Sequence, residues 1–348
     1  MTKSIITAKL GLTLLVVLVL ISLPRFNRND FLLGDVVGSG MPNDSSQYVA
    51  MAEIYAGKDT VLKPHAPFTY RPLVPFLASL LPLPAMTAIN VLNLLALWGC
   101  TIMLAGLLGK YNLSTRQIMV LLLSFLISFP VFYYGAIGIV DPVVVAGLGM
   151  GCFLIQRGRG LSLLLLIFAG TFVKESIVLL IPVYFVYCLA RRERIVRSLV
   201  VTLAITGVYL LGMKLARSIS LDPESVFWTP NWYRFIDNVS RFRTWASLIL
   251  SLGILGIAAM LAVIVPLIQK RWAVLLQMLP WLTGLAGAVA LFVASILTAY
   301  SDGRFIWPAL VFSLPIVGIF LREYQEKYVF LKLGGSNDRV QRALRDAA

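Results

Sequence analysis

Long apolar runs alternate with short polar connectors along most of the chain. A helix needs roughly 20 apolar residues to cross a bilayer, with ~17–25 tolerated. The first run that meets this length is about Ser4 to Leu23, after Lys3. A long polar stretch then extends to Arg71. Further candidate spans are Ala85–Leu108, Gln117–Tyr133, Pro142–Ile155, Leu161–Val173, Ser176–Ala190, Val196–Leu215, Trp245–Ile268, Trp272–Thr298 and Phe305–Leu321. The pattern predicts an all-α polytopic membrane protein, a bundle of about 10 transmembrane helices. Leu73–Leu81 lies among Pro72, Pro75 and Pro82 and is too short to span, so it is expected at the interface. Residues 1–321 form one membrane module, and 322–348 a basic cytoplasmic tail.

Charge resolves the one ambiguous stretch. Leu161–Ala190 is either one steeply tilted helix or two short spans turning at Lys174-Glu175. Two spans put Arg191, Arg192, Arg194, Arg197, Lys270, Arg271 and the tail on the same side as the N-terminus, as the positive-inside rule favours. That side then carries 18 of the 30 basic residues and 5 of the 16 acidic ones. The net charge of +14 is therefore an orientation signal, and nucleic acid is not an expected partner. Composition agrees, with 59% hydrophobic residues, 13% charged and a mean hydropathy of +0.86. Cys100, Cys152 and Cys188 sit far apart in apolar runs, as small fillers would. The expected location is a bacterial plasma membrane, with both termini cytoplasmic.

The outer face holds the unusual polar residues. Its long loops cover about 24–84 and 216–244, and its short turns present Asp141, Lys174-Glu175, and Asp302 with Arg304. A charge at membrane depth costs ~2.5–3.5 kcal/mol on insertion scales, so such groups pair or line a functional cavity. In the first loop Asp44, Tyr48 and Ala52 share one side of a predicted amphipathic surface helix, preceded by Pro42 and ended by Gly57. Pro67-Phe68-Thr69-Tyr70-Arg71-Pro72 then leads back to the bilayer.

In this order the motifs resemble the GT-C membrane glycosyltransferases that use polyprenyl-phosphate sugars, in the branch of protein O-mannosyltransferases and the aminoarabinose transferase of lipid A. The resemblance rests on Asp44 followed by Tyr48, Ala66-Pro67-Phe68-Thr69-Tyr70-Arg71-Pro72-Leu73, Asp141-Pro142, Lys174-Glu175 and Arg304-Phe305-Ile306-Trp307-Pro308. It covers residues 1 to about 321. Two features depart from that branch: its acidic pair is Asp44-Ser45 here, and no large soluble domain follows the last span. The resemblance implies a sugar donor on a polyprenyl phosphate, a lipid, glycan or protein acceptor, and a site facing the exterior or periplasm.

Such a transfer needs a base for the acceptor hydroxyl and cations for the departing phosphate. Asp44 is the expected base of an inverting displacement, and Asp141 is the second choice or an orienting partner. Arg71, Lys174 and Arg304 are candidates for the phosphate, with Tyr48, Glu175 and Arg241 as further substrate-binding groups. No cofactor is expected, although a divalent cation held by Asp44 and Asp141 stays open. Each residue also has a structural reading. Asp44 and Asp141 suit helix N-caps, the latter with Pro142 at the first helical position. Lys174 and Glu175 suit a mutual ion pair, and Arg304 beside Asp302 or Arg71 between Tyr70 and Pro72 suits an interfacial anchor. The aromatic segment Phe227–Arg243, which contains Arg241, suits either an interfacial belt or an acceptor grip. The rival functions are a transporter or lipid-linked-sugar flippase, and a non-catalytic membrane subunit.

Overall fold

A computed structural model describes residues 2–28, 44–222, 230–298 and 302–332. The described residues contain no strand, and helices α1 to α14 account for most of them. Five helical stretches are long and apolar enough to cross a membrane: Ala8–Arg25, Ala85–Tyr111, Ile195–Ser218, Phe242–Ile268 and Trp272–Thr298. They belong to α1 (Thr2–Ser22), α4 (Ala85–Leu108), α10 (Ile195–Ser218), α12 (Phe242–Ile268) and α13 (Trp272–Thr298). Their outward faces stay apolar, with Leu203 61% and Ile254 77% exposed. In water such faces would drive aggregation, whereas lipid tails cover them without cost. The chain is a helical membrane protein.

The expectation of about ten spans is met only in part, because several apolar runs fold as shorter helices. Gln117–Tyr133 divides into α5 (Thr115–Leu126) and α6 (Phe129–Tyr134). Ser114 caps α5, accepting from the Gln117 amide while the Gln117 side chain takes the Ser114 N–H. Pro130 lacks an N–H and disfavours helical geometry before it, so α5 cannot run on into α6. The α7 helix (Asp141–Arg157) has 17 residues, α8 (Gly160–Thr171) 12 and α9 (Leu180–Ala190) 11. At 1.5 Å per residue each falls short of a ~30 Å hydrocarbon core. The turn at Lys174-Glu175 does separate two helical segments, a 3-10 turn over Glu175–Leu179 opening the second.

Helix α14 (Pro308–Lys332) runs through the middle, with Ala309–Leu314, Ile316 and Ile319 buried. It packs on α13, α12, α7 and α4. Between α4 and α7 the backbones approach closely at Gly149, where a Cβ would strike the Cys100 sulfur. Small residues allow this approach where no hydrophobic force drives helices together. All three cysteines are buried.

The first loop is more compact than a surface helix requires. Helix α2 (Asp44–Tyr55) buries Ser45, Gln47, Tyr48, Ala50, Met51 and Ala52. It packs on α3 (Leu73–Ser79) and α4, so it is an enclosed helix and not one lying freely along the interface. Pro42 and the rest of residues 29–43, residues 223–229 with Phe227, residues 299–301 and the tail 333–348 lie outside the described residues.

Replacing Gly149 by Val should overpack the α4–α7 contact by ~1–3 kcal/mol and lower the thermal unfolding midpoint of the detergent-purified protein. An unchanged midpoint would contradict the close approach.

Candidate functional site

Four segments distant in sequence meet at one end of the bundle around a cavity of about 500 Å³. Asp44, Arg71, Asp141, Lys174, Glu175 and Arg304 all line it. Asp44 opens α2 and Asp141 opens α7, while Pro308 of the lining opens α14. The first residues of three helices thus contribute to the lining, while the opening amides of α7 and α14 are taken by Val140 O, Ile306 O and Trp307 O.

Local structure delivers each group. The connection into α7 is held by two buried asparagines of α4. Asn90 Oδ1 accepts from Gly138 N at 2.7 Å, and Asn93 Nδ2 donates to Ile139 O at 2.8 Å. Gly138 has φ +83°, and a Cβ there would crowd Ser45 Oγ, so a glycine is needed where α2 crosses this connection. Arg71 follows a 3-10 turn over Phe68–Tyr70, and Leu73 N donates to Phe172 O, tying that return segment to the end of α8. The segment after α10 braces the same return, since Asp222 Oδ2 accepts from Ala66 N at 3.0 Å.

The charges pair across segments. Lys174 Nζ donates to Asp141 Oδ1 at 2.5 Å. Arg71 donates from Nε and Nη2 to Glu175 Oε2 at 3.2 and 3.0 Å, and from Nη1 to Tyr48 Oη at 2.9 Å. Arg304 bridges two acids, with Nε on Asp302 at 3.0 and 3.1 Å and Nη1 on Asp44 Oδ2 at 2.6 Å. Lys174 and Glu175 thus take separate partners, and the mutual ion pair weighed beside phosphate binding does not form. Asp141 lies inside α7 with Val140 at its N-cap and makes no side-chain cap, so its carboxylate serves Lys174 and not the helix end.

Burial and charge act against each other here. Burial disfavours the ionised form of Asp141, but Lys174, Arg304 and Arg71 outweigh it and hold the carboxyl below its ordinary range. Glu175 behaves alike, with Arg71 overcoming desolvation. Burial alone would weaken the guanidiniums, yet Glu175 and Tyr48 hold Arg71 above its usual value, and Asp302, Asp44 and Asp141 do so for Arg304. Burial pushes the Tyr48 phenol up, with Asp44 and Asp141 adding to it against Arg71, so Tyr48 stays neutral.

The remaining wall is mostly apolar. Val144 and Val145 of α7 and Leu291, Ala294, Ser295 and Thr298 of α13 line it at helical spacing. Phe305 lies under Lys174 Nζ, 5.4 Å from the ring centroid. The cavity is therefore charged at one side and greasy at the other.

Two expected residues stand elsewhere. Tyr48 is 1% exposed and lies behind Arg71, which it positions. Arg241 follows α11 (Trp232–Ser240), pairs with Asp237 at 2.7 Å and is not part of the cavity lining. Trp232 and Tyr233 of α11 are 72% and 84% exposed, which fits the interfacial belt. Sequence reading missed Tyr209, whose hydroxyl donates to Glu175 O at 3.2 Å from the middle of α10. It also passed over Phe305 and Pro67-Phe68 as lining groups. A tyrosine within an apolar run gave the only available signal for Tyr209. Among the described residues no group of three or more His, Cys, Asp or Glu is placed to hold a metal ion, and Asp44 and Asp141 each face a cation instead.

Lys174 and Asp141 have side chains only 13% and 7% exposed, so removing one partner strands the other. Lys174→Met should cost ~3–5 kcal/mol, while Lys174→Met with Asp141→Leu should recover much of that loss. Thermal unfolding of the three proteins checks the order, and a double variant less stable than the single one would refute the pairing. No protein-family model, curated protein or solved structure matches this chain.

Proposed function

We propose that the protein is an integral-membrane glycosyltransferase that moves a sugar from a polyprenyl phosphate to a hydroxyl of a lipid, glycan or protein acceptor. The observation that carries this reading is the two-sided cavity. Arg71, Lys174 and Arg304 suit a phosphate, and the mostly apolar wall of α7 and α13 suits the attached chain. This end of the bundle is read as facing the periplasm or exterior, as the basic connectors at the opposite end favour.

Asp44 is the base in this reading. Its side chain is 36% exposed, against 7% for Asp141 and 10% for Asp302. Arg304 takes Oδ2 of Asp44, and among the described residues no donor takes Oδ1. The acceptor hydroxyl attacks the anomeric carbon and gives its proton to Asp44 as the bond from that carbon to the phosphate oxygen breaks. Arg71 and Lys174, with Arg304, offset the charge on the departing polyprenyl phosphate. Asp141 and Glu175 keep Lys174 and Arg71 in place.

A second reading, a transporter for a lipid-linked sugar, is favoured by one observation. Helix α12 is interrupted at Gly253, with φ +48° and ψ −156°, and broken helices recur in transporters.

Asp44→Asn separates the two. With a panel of polyprenyl-phosphate sugars and purified protein, this variant should transfer roughly 100-fold or more slowly while binding the donor within a few-fold of the parent. Full transfer activity in Asp44→Asn would exclude it as the base. Sugar translocation across proteoliposomes without any transfer would support the transporter.

A further inference from the structure

Glu175 has more hydrogen-bonding capacity than its pairing with Arg71 uses. An arginine and a carboxylate commonly meet fork to fork, each oxygen taking one N–H. Here Arg71 Nε and Nη2 both go to Oε2, at 3.2 and 3.0 Å, and no other side chain donates to Oε1 among the described residues. The residue's own backbone N–H also acts on the carboxylate, which offers about four acceptor positions and so keeps some free. Oε1 is not among the sealed, unpaired polar atoms of the protein. The Glu175 side chain is 32% exposed, where Arg71 and Lys174 are 13% and Asp141 is 7%. Glu175 lines the cavity, so that exposure opens onto it.

The backbone fixes this oxygen in place. Extended geometry at Lys174 turns neighbouring side chains to different segments, and the Tyr209 hydroxyl donates to Glu175 O at 3.2 Å. Tyr209 stands nine residues before Ser218, the end of α10, or about 14 Å along it at 1.5 Å per residue. The free oxygen is therefore held within the bundle and calls for a donor there. The nearby cations do not supply one, since Lys174 Nζ goes to Asp141 and Arg304 to Asp44 and Asp302. Like charge keeps a phosphate away from it. An uncharged hydroxyl fits.

Glu175 is one peptide bond from Lys174 and hydrogen-bonded to Arg71, the two cations offered to the lipid phosphate. The group attached directly to that phosphate is the sugar. We infer that Glu175 Oε1 accepts a hydrogen bond from a hydroxyl of the donor sugar and selects for sugars that carry it. The inference rests on the polyprenyl-phosphate sugar as ligand, and it holds whether that sugar is transferred or translocated. A Glu175 that only neutralised Arg71 would discriminate among no sugars.

Equilibrium binding to the detergent-purified full chain tests it. The ligands are a panel of polyprenyl-phosphate hexoses and pentoses, the monodeoxy analogues of the tightest one, and sugar-free polyprenyl phosphate. In the parent, one deoxy position should weaken binding roughly tenfold or more, as loss of a hydrogen bond to a charged acceptor does. In Glu175→Gln that analogue and its full sugar should bind alike, within about threefold. Sugar-free polyprenyl phosphate should bind this variant no more weakly than the parent, because a negative charge beside Arg71 has been removed. Glu175→Asp keeps that charge but withdraws the oxygen by one methylene. It should also lose the discrimination, and it carries the test if Glu175→Gln does not fold. The same loss at the same position in parent and variants would overturn the assignment, as would a parent indifferent to every deoxy analogue. A parent that binds polyprenyl phosphate neither with nor without sugar would refute the donor reading itself, and this inference with it.

Discussion

A charge withdrawn from water must be met by an opposite charge, and the outward-read end of this bundle is organised by that requirement. Arg71, Lys174 and Arg304 are each largely buried, and each has a carboxylate supplied by a different stretch of chain. Arg71 joins the first loop to the turn between α8 and α9, Lys174 joins that turn to α7, and Arg304 joins the start of α14 to α2. Moving any one segment would strand an ion in a poorly solvating environment. The pairs thereby fix where four helices and the first outer loop end, and the cavity is the space they leave. Packing beneath them is ordinary small-residue contact between α4 and α7 around a buried α14.

That same arrangement gives the site its chemical asymmetry. Four carboxylates, Asp44, Asp141, Glu175 and Asp302, pair with the three cations, and Asp44, Asp141 and Glu175 line the cavity beside them. Asp44 differs from Asp141 in being reachable, and Arg304 orients it through one oxygen while dividing its own charge with Asp302. A substrate with a phosphate, a polar sugar and a long apolar chain matches the order of features from Arg71 and Lys174 to the wall of α13.

The sequence made some of this legible and left the rest to topology. The ends of α4 and α13 coincide with the predicted apolar runs, because Pro84 and the Lys270-Arg271 pair interrupt hydrophobicity abruptly. The charged residues of the site stood out because ionisable groups are costly beside apolar runs. Their partners did not. Neighbours in sequence, Lys174 and Glu175 seemed natural partners, yet extended backbone at Lys174 turns the two side chains to different segments. Similarly, Asp141 before Pro142 looked like a cap because local spacing says nothing of a lysine 33 residues away. The run Gln117–Tyr133 was read as one helix because hydropathy continues through Pro130, whereas the chain forms two there. Tyr209 showed only as a tyrosine in an apolar run, since the packing of α10 is what brings it to Glu175.

The claim at the centre is that one cavity holds a lipid phosphate at its charged side and the sugar beside Asp44. An experimental structure of the purified protein with a non-hydrolysable polyprenyl-phosphonate sugar tests it directly. The account predicts the phosphonate within hydrogen-bond reach of Arg71, Lys174 or Arg304, the sugar against Asp44, and the prenyl chain along α13. A headgroup bound elsewhere on the bundle, with Asp44 remote from the anomeric carbon, would contradict it.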